Sequence, residues 1–301
     1  VHAQTEKQVP FLNAAATEIF FPPLDNIRTS AIMALLPPGS VMQKASVDTS
    51  LGLRRCIGGC YFFGEDMEKL KKAAKYFTPF EIALWVCSVV LIGVSFGIFD
   101  GENRLALAAS LVGATSLIFT AKGNAIGQIL IIVFSVLYGI ISYTFAYYGE
   151  MITYLGMTAP IAILAVIAWL RNPFGGKKSE VKVNRLSLRE HVFMWVLAAV
   201  VTAAFYFILE AFDTANLIPS TISVTTSFVA AYLTFRRSPL YALAYAANDI
   251  VLIVLWVLAS LEDISYISVT VCFVTFLVND IYGFVSWNRM RKRQAAATAH
   301  D

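Results

Sequence analysis

Two carboxylates stand where a membrane chain normally carries leucine. Asp249 lies within "YALAYAANDIVLIVLW" and Asp280 within "VCFVTFLVNDIYGFVSW", each preceded by an amide, Asn248 and Asn279. On insertion scales an Asp at the centre of a membrane helix costs about 2.5–3.5 kcal/mol, so such residues face a bundle interior or a water-filled cavity. A structural ion pair would need a cation, yet no Lys or Arg falls at mid-depth in any apolar run. Three chemistries stay open: accepting hydrogen bonds from a ligand's hydroxyls, relaying protons, and acting as an aspartyl dyad. The Gly-x-Gly-Asp setting of intramembrane aspartyl proteases is absent, which weighs against the last.

Helical spacing collects further polar groups beside these acids. Cys272, Thr275, Asn279, Tyr282, Gly283 and Ser286 share one face, with Asp280 on its shoulder. Tyr241, Tyr245, Asn248, Leu252 and Trp256 form a second face adjoining Asp249, while Gln128, Ser135, Tyr138 and Ser142 form a third. Thr225, Thr226 and Ser227 add hydroxyls at the centre of another run. Such groups also glue helices together, at about 0.6 kcal/mol per bond, and that reading competes at every Ser and Thr. The residues expected to meet a ligand are Asn248, Asn279, Tyr282, Trp256, Asp249, Asp280, Gln128, Tyr138, Tyr245 and Thr226. Amides and carboxylates suit ribose hydroxyls. The rings of Tyr138, Trp256 and Tyr282 suit stacking on a planar ring, and cation–π attraction favours a positively charged one. Asp280 reads either as a hydroxyl acceptor or as a group that orients one, and Trp287 as an interfacial anchor matched by Trp169.

The elements that must position these residues follow from composition. The 301 residues are 58% hydrophobic and 14% charged, against about 45–50% and 25% in soluble domains. Eight apolar runs, at about 80–99, 105–121, 126–148, 150–170, 191–210, 215–235, 239–260 and 264–287, are each long enough to span a bilayer as a helix. Lys69, Lys71, Lys72, Lys75, Lys122, Arg171, Lys177, Lys178, Lys182, Arg185, Arg189, Arg236, Arg237, Arg289, Arg291, Lys292 and Arg293 all fall on one side of that arrangement. The opposite loops hold Arg104 with Asp100, Glu102, Glu150, Glu210, Asp213, Glu262 and Asp263. Basic residues collect on the cytoplasmic side, so both termini are expected there. The net charge of +3 reflects this topology and gives no reason to expect nucleic acid.

The spans contain a repeat. "AWLRN" ends the fourth and "SWNRM" the eighth; Ser142 and Ser260, and Tyr138 and Trp256, share the same offset, and Thr120-x-Lys122 parallels Thr234-x-Arg236. This predicts an all-α integral membrane protein with a 3+1+3 core of parallel three-helix repeats and one extra N-terminal helix, the plan of SWEET-type transporters. The expected divisions are 67–104 for a basic lead-in and the extra span, 105–172 for the first repeat, 173–214 for a cytoplasmic loop and linker span, 215–288 for the second repeat and 289–301 for a basic tail. Positions 248–249 and 279–280 align with apolar Leu130, Ile131, Ile161 and Ala162 in the first repeat, so the polar load is asymmetric. Pro160 predicts a kink near the middle of the fourth span, and Gly93 with Gly97 form a GxxxG able to pack the extra helix.

Residues 1–66 are Pro-rich and aperiodic, without the apolar core or cleavage site of a signal peptide. They are expected to be disordered or loosely attached, with the functional protein beginning near Met67. Cys56 and Cys60 lack the further ligands a metal site needs. "NPFGGKKS" lacks the earlier glycine of a P-loop, no HExxH occurs, and no Lys stands in the last span to hold retinal. Neither a catalytic centre nor a metal or other cofactor is expected.

The runs "KGNAIGQILIIVFSVLYGIISY", "YYGEMITYLGMTAPIAILAVIAWLRNPF" and "FLVNDIYGFVSWNRMRKRQ", in this order, resemble the PnuC family of bacterial vitamin transporters over roughly residues 70 to 294. The resemblance implies uptake of nicotinamide riboside by facilitated diffusion across the bacterial inner membrane, a homotrimer, a midplane pocket of aromatic and amide groups, and trapping of the substrate by a cytoplasmic riboside kinase. Sister groups on this scaffold carry thiamine, riboflavin or deoxynucleosides. Proton coupling through the two acids, and a membrane subunit that binds the vitamin without moving it, are the alternatives.

Overall fold

The structure, a computed structural model, describes residues 76–144, 148–214 and 216–299. The leader, most of the basic lead-in, and Cys56 and Cys60 lie outside them. Among the described residues, eight helices are long and apolar enough to cross a membrane. They are α1 (Pro79–Phe99), α2 (Arg104–Ala121), α3 (Ala125–Thr144), a broken fourth span comprising α4 (Tyr148–Ile152), a π-helical turn (Thr153–Thr158) and α5 (Ala159–Arg171), then α6 (Leu188–Ala211), α7 (Leu217–Phe235), α8 (Tyr241–Ser260) and α9 (Ile267–Thr298).

Local sequence sets the ends. Thr78 and Glu81 form a reciprocal capping box at the start of α1, and Ser187 and Glu190 form another at α6, satisfying N–H groups that a first turn leaves unpaired. The break in the fourth span lies just before Pro160, whose missing N–H cannot support the preceding turn. There the backbone slips to a wider turn, with the Ala159 N–H reaching Tyr154 O. Asp263 caps the short turn Ile264–Tyr266 through the Ser265 N–H at 2.9 Å, which holds its carboxyl below the usual range.

Packing closes the core into a ring. α2 packs on α3, α3 on α5, α5 on α7, α7 on α8, α8 on α9, and α9 returns to α2. The two three-helix units, α2–α3–α5 and α7–α8–α9, thus meet through two equivalent seams. α1 leans on α9 and α2, and α6 leans on α7. Close approach uses small residues: a Cβ on Gly113 of α2 would come within 2.6 Å of the Phe276 ring of α9.

Three features differ from the sequence reading. A small hairpin, β1 (Pro173–Phe174) and β2 (Lys177–Val181), follows α5. Its two-residue turn is Gly175-Gly176, both at positive φ, as a type I′ turn requires. The basic tail continues α9 as helix to Thr298, about 48 Å in all, and is tied to β2 where Gln294 donates to Val181 O and accepts from the Val183 N–H. Gly93 and Gly97 have no neighbouring atom within 4 Å of a would-be Cβ, so the GxxxG does not pack α1 on this chain. Ser88, Ile92, Ser95 and Phe96 form its buried face instead.

Candidate functional site

At the end of the ring that carries the basic loops, the interior is plugged. Trp169, at the end of α5, and Trp287, on α9, are 2% and 0% exposed, with ring centroids 5.4 Å apart. The expectation that they are interfacial anchors is therefore corrected. An anchor keeps its N–H in the headgroup region, whereas both indoles donate inside the protein: Trp169 Nε1 to Thr234 O at 2.9 Å, and Trp287 Nε1 to Thr120 O at 2.8 Å. Each bond stitches the last helix of one unit to the first helix of the other. Tyr241 closes on Trp287 at 4.9 Å between centroids.

Deeper in the ring lie the acids. Asp249 on α8 and Asp280 on α9 are 4% and 3% exposed, on two helices that pack against each other. Asp249 Oδ2 has no hydrogen-bond partner. Among the described residues, no Lys or Arg forms an ion pair with either acid. Beside this pair, the Asn248 Oδ1 accepts from Thr226 Oγ1 at 2.8 Å and from Ser227 Oγ at 2.9 Å, joining α8 to α7.

One turn beyond Asp249, Leu252 borders a cavity of about 30 Å³ lined also by Tyr138, Glu150, Tyr154, Ser223 and Ser227. Tyr138 and Tyr154 face each other with centroids 4.5 Å apart, so the π-helical turn delivers an aromatic to the wall. Its contents suit one or two waters.

The expected single polar wall is divided among several places. Asn248, Thr226, Asp249 and Asp280 gather at the α7–α8–α9 interior, with Tyr245 next along α8 and 6.2 Å from Tyr241; Tyr138 borders the cavity beyond them. Asn279 and Tyr282 turn toward α1: Asn279 Nδ2 donates to Ser88 Oγ at 2.9 Å, and Tyr282 Oη donates to Glu81 Oε1 at 2.8 Å. Gln128 Nε2 donates to Thr120 Oγ1 at 3.3 Å within the α2–α3 pair, and Trp256 packs on Tyr266, 5.4 Å away, in the cluster of apolar side chains that includes Phe273 and Phe276. Sequence reasoning missed Glu150, Tyr154 and Glu81. Glu150 read as a loop charge because the break in its helix was placed only at Pro160, whereas Glu81 was legible as the fourth residue of Thr-x-x-Glu.

A sequence profile of the family described as nicotinamide mononucleotide transporter matches residues 103–289, a stretch that includes both units, both tryptophans and both acids. The chain belongs to this family. Among its relatives is a nicotinamide riboside transporter, PnuC, of Neisseria mucosa, 25% identical over 222 residues covering 72% of this chain and 84% of that protein. Another, from Haemophilus influenzae, is 20% identical over 218 residues, covering 71% of this chain and 92% of the relative. A crystal structure of the vitamin B3 transporter PnuC superposes with a TM-score of 0.63 at 24% identity, covering 72% of this chain and 94% of that one. The family is one of transporters, and the chain is a multi-pass membrane protein of the same fold: a 3+1+3 core with an additional N-terminal helix.

Proposed function

We propose that this chain carries nicotinamide riboside across the bacterial inner membrane by facilitated diffusion, with its basic loops and both termini in the cytoplasm. The observation that carries this reading is the order of parts along the ring: a double-indole plug, a polar and acidic middle, then an aromatic cavity. A carrier that exposes one site alternately to two sides needs a closed end and a site behind it. Asn248, Thr226, Asp249, Asp280, Tyr245 and Tyr138 belong to that route, while Asn279, Tyr282, Gln128 and Trp256 hold the helices around it. The cavity is far below the roughly 300–1,000 Å³ of a small-molecule site, so the substrate enters as the units rock apart. The proposed divisions are 105–172 and 215–288 for the moving units, 173–214 for the linker between them, and a homotrimer for the assembly. A cytoplasmic kinase that phosphorylates the riboside gives uptake its direction.

Purified protein in liposomes is expected to equilibrate labelled nicotinamide riboside without a pH or sodium gradient. A thermal-shift panel of nicotinamide riboside, thiamine, riboflavin and deoxynucleosides tests the substrate, and no stabilisation by the first would overturn its assignment. Accumulation above equilibrium that collapses with a protonophore would replace uniport by proton coupling, the reading that the buried acid pair favours as second choice. Saturable binding without flux would make the chain a binding subunit.

A further inference from the structure

At the basic end of the ring, the stretch from Val181 to Asn184 is held by both units. The Val181 N–H donates to Gly123 O at 3.0 Å and the Lys182 N–H to Asn172 O at 2.8 Å, carbonyls just past α2 and α5 of the first unit. The second unit holds the same stretch through Gln294, which is 5% exposed on the extension of α9. Its Nε2 donates to Val181 O at 3.0 Å, and its Oε1 accepts from the Val183 N–H at 2.9 Å. A side-chain amide thus pairs with a carbonyl and with the N–H two residues on, as one residue of a parallel strand would. Gln294 Nε2 also donates to Glu180 Oε1 at 2.8 Å, and Arg293 pairs with the other oxygen of that carboxylate. The Asn184 N–H adds a bond to Arg237 O at 3.0 Å, just past α7. Val181 itself is 2% exposed and belongs to the same apolar cluster as Trp169 and Trp287.

We propose that residues 181–184, clasped by Gln294, form a strap that holds the ring closed at its basic end and must release before the two units part there. That the units part at all rests on the function proposed above. Chain length decides the rest. From Val181 to Val183 the backbone reaches at most about 7 Å, yet it is tied to Gly123 of one unit and to Gln294 of the other. A segment with so little slack cannot follow both units as they separate, so one set of bonds has to yield. The Gln294 bonds are that set: a side chain swings away by changing rotamer, whereas the Gly123 and Asn172 carbonyls are fixed by the helices they follow. Water at the end of the ring takes up the released groups, so each bond costs little to break. The clasp therefore sets how readily the indole plug opens.

Hydrogen exchange of the detergent-solubilised full chain, read by mass spectrometry, tests the strap without any substrate. Gln294→Ala is expected to speed exchange about tenfold in residues 181–184 and also in 120–124 and 234–238, the two stretches whose carbonyls receive the indole N–H groups. Faster exchange confined to 181–184 overturns the inference, because the amide would then order only its own loop; no change overturns it too. Gln294→Leu keeps most of the side-chain volume and removes the bonds, and is expected to match the Ala variant. Protection equal to the parent in the Leu variant would show that packing holds the strap and would overturn the clasp. Should neither variant fold, the parent decides: 181–184 is expected to exchange at least as fast as the two plug stretches, since its release comes first, and the reverse order overturns the inference. Labelled riboside flux through the parent in liposomes is read separately. A parent that moves no riboside overturns the transport reading and leaves the exchange result to decide the strap.

Discussion

The two ends of the ring interior are built by different rules. The plug at the basic end is made twice, and the polar middle is made once. Around the plug the duplication reaches single atoms. Trp169 bonds Thr234 as Trp287 bonds Thr120; Lys122 pairs with Glu81 as Arg236 pairs with Glu190; Gly123 and Arg237 occupy the same left-handed position after α2 and α7. The carbonyls of those two residues accept from Val181 and Asn184 of the connecting loop. α1, with its capping box, stands to the first unit as α6 stands to the second. At mid-depth, by contrast, the acids and Asn248 have no polar counterpart in α3 and α5. Under the transport mechanism proposed above, closure has to work on both units as they move, whereas recognition needs one set of donors and acceptors for an unsymmetrical ligand.

The sharpest way to break the comparison is at the plug. Trp169→Ala and Trp287→Ala each empty a fully packed site and are expected to cost about 3–5 kcal/mol, by similar amounts, read as a loss of melting temperature in detergent and a leak of riboside in liposomes. The Phe variants remove only the N–H bond and part of the ring, and are expected to retain most of the stability. A large inequality between the two would show that the duplication is geometric only.

The ion pairs sharpen it next. Glu81 is buried and serves Thr78, Lys122 and Tyr282 together, whereas the Glu190–Arg236 pair is about a third exposed on each side. Glu81→Gln leaves a buried partner unsatisfied and is expected to cost about 3 kcal/mol, against about 1 kcal/mol or less for Glu190→Gln. Added salt is expected to weaken the second pair more than the first, read as a larger loss of salt dependence in Glu190→Gln than in Glu81→Gln.

A close contact within the first unit comes third. A Cβ on Gly127 of α3 would sit 2.6 Å from the Thr120 backbone nitrogen of α2, so Gly127→Ala is expected to lower stability by about 1–3 kcal/mol. The smallest effect on folding, and the most telling for function, separates the two asparagines. Asn248→Ala is expected to weaken riboside binding with little change in melting, because Thr226 and Ser227 retain backbone acceptors or water. Asn279→Ala is expected to lower melting by the loss of its Ser88 bond while leaving binding close to the parent.

Much of this was legible in advance, for physical reasons that also mark where legibility stopped. The eight spans, the repeat and the one-sided charge are one-dimensional quantities, set by the cost of polar groups in lipid. Asp249 and Asp280 announced themselves in the same way. Their surroundings did not: face patterns gave each acid a stripe, but only the packing of α8 on α9 buried both acids inside the bundle. The stripe through Asn279 and Tyr282 looked continuous with Asp280 because helical spacing has no knowledge of which neighbour lies on which side. α1 covers the one face and α8 the other.

The sequence by itself determined the number and length of the helices, their alternation across the bilayer, the duplication and the chemical inventory, because each follows from transfer free energy along a single chain. Tertiary structure decided what Trp169 and Trp287 do. A tryptophan near a span's end suits the headgroup region and a helix seam equally well, and only the closing of six helices into a ring brought the two indoles together and turned their N–H groups inward.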